Sequence, residues 1–112
     1  MNDRQAVNID DITQTDEKIL YETPLDLLER FMISYLKEEF DKRGNDYRNA
    51  IGSEMEQDFL ASFRLFNDYR NAMQQGWFER AEKLAQKDQM PPACAIYARR
   101  RELVRIGKLV NK

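Results

Sequence analysis

An all-α fold is expected from three properties of this sequence. Glycine (4) and proline (3) are scarce, while Glu, Lys, Arg, Gln, Leu and Ala are abundant, a composition that favours helix. Apolar residues recur at spacings of three and four over long stretches, and no segment sustains period-two alternation. Helix punctuation falls between those stretches, at Thr23-Pro24, Gly44, Gly76 and Pro91-Pro92. The expected architecture is an elongated bundle of about four helices, at about 24–43, 46–75, 77–88 and 92–110. A flexible acidic arm over 1–22 precedes a single helical domain over 23–112.

The arm is polar, and its isolated Val7, Ile9 and Ile12 set up no period. Without a packing face such a terminus stays poorly ordered. The first helix has Thr23 as N-cap, Pro24 at its first position and Asp26 at its positive end. Leu25, Leu28, Phe31, Met32, Tyr35, Leu36 and Phe40 form one apolar stripe, and Gly44 after Lys42-Arg43 reads as a stop. The second helix carries Tyr47, Ala50, Ile51, Met55, Phe59, Leu60, Phe63, Phe66, Tyr69 and Met73 and ends at Gly76. Its stripe passes residue 52 without losing its face, which favours one long helix. The alternative is a break at Gly52, because Ser53 and Glu56 form a capping box for a new start. Trp77, Phe78, Ala81, Leu84 and Ala85 make a shorter third helix. Pro91-Pro92 opens a fourth, with Ala93, Ile96, Tyr97, Leu103, Val104 and Val110 on its apolar side.

The hexapeptide Asn-Asp-Tyr-Arg-Asn-Ala occurs twice, at 45–50 and 67–72. In one continuous helix the copies would sit about 40° apart around the axis and about 33 Å apart along it. Tyr, Ala and the following Ile51 or Met73 would share a buried seam, leaving Arg48 and Arg70 exposed. A spacing of 22 residues is too short for a helix–turn–helix solenoid unit.

Charge is uneven. Residues 1–56 hold 14 acids and 7 bases, and residues 57–112 hold 6 acids and 11 bases. Such asymmetry marks either an interaction surface or an acidic half folded on a basic half. The basic density peaks at Arg99-Arg100-Arg101, Arg105 and Lys108. A basic helix of this kind suits phosphates, an acidic protein surface, or its own helix dipole.

Little in the chain suggests catalysis. Histidine is absent, which removes the usual acid/base at neutral pH and the commonest transition-metal ligand. No phosphate-binding glycine loop or nucleophile elbow is present. Glu38-Glu39 point about 100° apart on a helix, and Glu54 with Asp58 reads as a solvated face. Cys94, the single cysteine, lies among Ala93, Ala95 and Ile96 and reads as a small buried residue. One cysteine closes no disulfide within the chain, which fits a reducing compartment. No apolar run approaches membrane-spanning length. The expectation is therefore a cytoplasmic, non-catalytic protein with no catalytic, cofactor-binding or metal-ligating residues.

The expected function is protein binding, as an adaptor or regulatory protein that forms a homodimer, through Tyr47, Arg48, Tyr69, Arg70, Trp77 and Phe78. Trp77 follows the Gly76 turn, and tryptophan is enriched at interface centres. The alternative is nucleic-acid binding through Arg99, Arg100, Arg101, Arg105 and Lys108, although Tyr97 is the only aromatic there for base stacking.

Overall fold

A computed structural model describes residues 17–108 of the chain. It contains five helices and, among the described residues, no strand: α1 (Glu17–Glu22), α2 (Leu25–Ala50), α3 (Glu56–Gln75), α4 (Phe78–Lys87) and α5 (Pro92–Arg105). The all-α bundle is as expected, and it is elongated, with principal extents of 53 × 32 × 18 Å. The long α2 and α3 form a helical hairpin. α4 packs between α3 and α5, α5 lies against α2, and α1 rests on α5.

The core forms where the first half of α2, the second half of α3, α4 and α5 converge. Leu28, Phe66, Tyr69, Ala72, Ala81, Cys94 and Ala98 are fully buried there, joined by Phe31, Met32 and Ile96. Each large apolar side chain placed here contributes about 1.5–3 kcal/mol. The alanines of α4 and α5 let those helices approach closely. Among the described residues no third helix covers the far half of the hairpin, and Tyr47, Phe59, Leu60 and Phe63 are only half-buried.

Several boundaries differ from those expected. α2 does not stop at Gly44 but continues to Ala50. Gly44 is buried beside Phe63, and contacts on both sides of it hold the helix to α3: Arg43 just before it is anchored on Ser62, and Tyr47 beyond it stacks on Phe63 at 6.5 Å. Such packing outweighs the roughly 1 kcal/mol helical penalty of a glycine.

The chain turns at Gly52 instead, so the continuous 46–75 helix does not exist. Ile51 (φ −58°, ψ 127°) and Gly52 (φ +87°) form a type II turn closed by the Ser53 N–H on the Ala50 carbonyl at 2.9 Å. The positive φ at the third turn position selects glycine. The Ser53 hydroxyl oxygen then accepts from the Met55 N–H (3.1 Å), and the Glu56 carboxylate accepts from the Gly52 N–H (2.9 Å). The break at Gly52 is the one the alternative reading gave, but the Ser53–Glu56 box is not closed as such: α3 starts at Glu56 with Met55 in the N-cap position, and the two side chains brace the turn instead.

Two ends also shift. Within the expected arm, 17–22 is helical, with Leu20 fully buried; residues 1–16 lie outside the described residues. Thr23 does not cap α2. Its hydroxyl donates back to the Ile19 carbonyl at 2.8 Å, and Pro24 occupies the N-cap position. α5 ends at Arg105 rather than 110, where the Lys108 N–H folds back onto the Leu103 carbonyl (2.8 Å).

Candidate functional site

A groove of about 540 Å³ runs between α2, the end of α3, and the facing sides of α4 and α5. Its floor is apolar: Met32 and Leu36 from α2, Met73 from α3, Phe78 from α4 and Tyr97 from α5. These residues project together because each lies on or beside its helix's core stripe, one turn from a buried neighbour. Ile33 and Phe40 stand on the α2 wall at 56% and 36% exposure. Isolated exposed apolar residues are ordinary; two on one wall of an apolar groove are a candidate contact surface.

Two guanidinium groups flank the floor. Arg70 lies over the Phe40 ring, 4.2 Å from its centroid, and Arg101 over Phe78 at 5.2 Å and Tyr97 at 5.8 Å. Arg70 donates to Asn67 Oδ1 (3.1 Å) and Arg101 to the Tyr97 hydroxyl (3.0 Å). Neither makes an ion pair among the described residues. Stacking fixes the face of a guanidinium and leaves N–H edges able to meet a carboxylate. Glu29, Lys37 and Asp41 complete the rim. The Tyr97 hydroxyl is held above its ordinary pKa by burial, against the opposing pull of Arg101.

The groove unites Arg70, Phe78 and Arg101 from the two sets expected to bind. The other expected residues are dispersed. Tyr69 is fully buried, its hydroxyl donating toward the Cys94 carbonyl (3.1 Å) and Met32 Sδ (3.2 Å). Phe78 is mostly buried, while Trp77 is 52% exposed and caps α4. Tyr47 and Arg48 lie near the hairpin tip. The hexapeptide copies therefore occupy different helices and share no seam. What they share is local: Arg48 donates to Asn45 Oδ1 and Arg70 to Asn67 Oδ1, the same i,i+3 bond in both.

The basic stretch of α5 is likewise divided. Arg100 turns inward at 8% exposure and donates to the carbonyls of Leu20 (2.8 Å) and Thr23 (2.5 Å), tying the end of α1 to α5. Desolvation lowers its pKa, and its buried Nε has no partner. Arg99 pairs with Glu82 (3.5 Å), and Arg105 grips Glu102 through two bonds of 2.7 and 2.6 Å. Lys108 is exposed.

One node was not visible in the sequence. Arg43, 14% exposed, bonds Glu39 (2.8 Å), the Ser62 carbonyl and hydroxyl (3.2 Å each) and Asp88 (2.7 Å), and lies 5.0 Å over the Phe66 ring. It joins α2, α3 and the α4–α5 connection. Burial opposes its charge, but the bonds to Glu39 and Asp88 prevail and raise its pKa. The only linear signal was an i,i+4 Glu–Arg pair, which many exposed helices carry.

Burial pushes the Cys94 thiol up to about 12. Tyr35 and Tyr69 are raised as well, chiefly by burial. At neutral pH the thiol is protonated and enclosed, so it is packing rather than a nucleophile. Among the described residues, no group of three or more Cys, Asp and Glu side chains could hold a metal ion, and no helix is long and apolar enough to cross a membrane. Comparison with protein-family models, curated proteins and solved structures finds no match to this chain.

Proposed function

We propose that this chain is a small non-catalytic protein that works by binding another protein at the groove between α2, α3, α4 and α5, as an adaptor or regulatory component. One observation carries the reading. An apolar floor lies beside exposed Ile33 and Phe40, and is flanked by two ring-stacked arginines without ionic partners among the described residues. An amphipathic helix would bury its apolar side there and present carboxylates to Arg70 and Arg101. The nucleic-acid alternative has less support: of its five residues Arg100 faces inward, Arg101 stacks in the groove, and Arg99 and Arg105 already hold acids.

A photo-crosslinking residue placed at position 33, compared with one at exposed Gln57 on α3, tests this in the native cell. Discrete protein adducts at position 33, absent at 57 and unchanged by nuclease, are expected. Equal adduct patterns at both positions, or adducts lost with nuclease, would refute it.

A further inference from the structure

The outer row of α2 carries a pattern that a second copy of the chain would satisfy. Glu29, Ile33 and Lys37 follow one another at i,i+4 spacing along the groove wall. Two pairs on this helix are closed within the chain, Asp26 with Arg30 (3.6 Å) and Glu39 with Arg43 (2.8 Å), while Glu38, Asp41, Lys42 and Asp46 lie off the row or beyond its end. Glu29 and Lys37 make no ion pair among the described residues. They cannot satisfy each other, since eight residues of helix separate them by about 12 Å. Between them Ile33 is 56% exposed.

We propose that this row is covered by the same row of a second copy, running antiparallel about a two-fold axis through Ile33. The proposal rests on the protein-binding reading and names the partner of its α2 wall. The axis sets Ile33 against Ile33 of the second copy. It also sets each Glu29 opposite Lys37 of the second copy, so two ion pairs flank one apolar contact. A two-fold interface is self-complementary by symmetry, and a row with an acid and a base equidistant from an apolar centre is the simplest way to meet that requirement. A partner segment of uniform charge would satisfy one of the two and repel the other. The i,i+4 spacing of the row continues to Asp41, and Phe40 beside it, 36% exposed, extends the apolar surface away from the axis.

Sedimentation velocity and light scattering on the full chain, in the tens of micromolar, read the result. The unaltered chain is expected to be a dimer. Glu29→Lys and Lys37→Glu each place like charges opposite one another twice, and each should raise the dimer Kd by at least about tenfold. Circular dichroism and melting of both variants should stay close to the parent. An equimolar mixture of the two should recover the dimer, because each interface then pairs Lys with Glu at both ends. Ile33→Asp should not be rescued by mixing with either.

A monomeric parent chain, reversals that leave the dimer intact, or a mixture that stays monomeric each overturns the proposal. A monomeric parent that still gives discrete position-33 adducts to a different protein removes the second copy and leaves the protein-binding reading standing. A monomer without such adducts removes both.

Discussion

Arg43→Met is the sharpest perturbation of this fold. The substitution keeps the apolar stem and removes the charge that three elements share. Glu39 and Asp88, with side chains 17% and 10% exposed, are left facing a thioether, and Ser62 loses a donor. Removing one member of a buried ion pair costs about 3–5 kcal/mol, mostly because the abandoned charge stays desolvated. Both carboxylates lie near enough to the surface to turn toward water, which places the loss at the lower end, about 3 kcal/mol. The lost contact with the Phe66 ring, about 0.5–1 kcal/mol, is included in that figure. Against a total of about 5–15 kcal/mol for a domain, this is a large fraction. It should lower Tm by roughly 15 °C. Urea unfolding followed at 222 nm should show the midpoint falling at constant slope. A double-mutant cycle with Asp88→Asn should give a coupling of about 1–3 kcal/mol, since the bond is 2.7 Å long and mostly buried. A loss under about 1 kcal/mol, or strict additivity, would show that Arg43 is a surface residue in practice and that the three elements are held by apolar packing alone.

The two hairpin glycines should respond oppositely to alanine. Gly44→Ala would meet Arg48 at 3.7 Å and Phe63 at 3.9 Å, ordinary contacts, and should stabilise by about 0.5–1 kcal/mol, whereas Gly52→Ala at φ +87° should cost about 1–2 kcal/mol; thermal melts order the three proteins. Alkaline stability should fall above pH 9. The unfolded Cys94 releases its proton near the ordinary thiol value of 9.0 while the folded thiol holds it up to about 12, so the folded state binds more protons in that window. Stability then falls by at most about 1.4 kcal/mol per pH unit from this group, and Cys94→Ala should flatten the Tm profile between pH 9 and 12. Arg100→Leu should release α1 without unfolding the bundle, raising hydrogen exchange in 17–23 well above that in α3; uniform exchange across the chain would contradict the role given to its bonds with Leu20 and Thr23.

The helices were legible because their signals are local. The stripe from Leu25 to Phe40, the Gly76 stop and the Pro92 start depend on neighbours within a few residues, and the structure places α2, α3, α4 and α5 on them. Both signals for the hairpin were also present, Gly44 and Gly52-Ser53-Glu56. Choosing between them required knowing what packs on each. A side chain at Gly44 would meet Phe63 from another helix, and one at Gly52 would meet nothing within 4 Å. Once the turn moved to Gly52, the repeated hexapeptide lost its common face, and only its Asn–Arg bond survived in both copies.

The candidate site was legible in parts. Arg70, Phe78 and Arg101 were named, though for different roles, and nothing in the linear order says that they surround one groove with Ile33 and Phe40. Arg100 looked like its neighbours in a basic run, yet it alone faces the carbonyls of α1, because successive helical residues point about 100° apart. Arg43 was read as the end of a helix and is its most connected side chain. What the sequence by itself determined is the helical class, the approximate helix positions and the want of histidine-based chemistry, since composition and short-range periodicity act through the backbone within a turn or two. What only the tertiary structure decided is which charges are neutralised inside the chain and which apolar residues stay uncovered. Burial and pairing depend on residues from 19 to 80 positions away in the sequence, brought within about 3 Å by packing that no local pattern encodes.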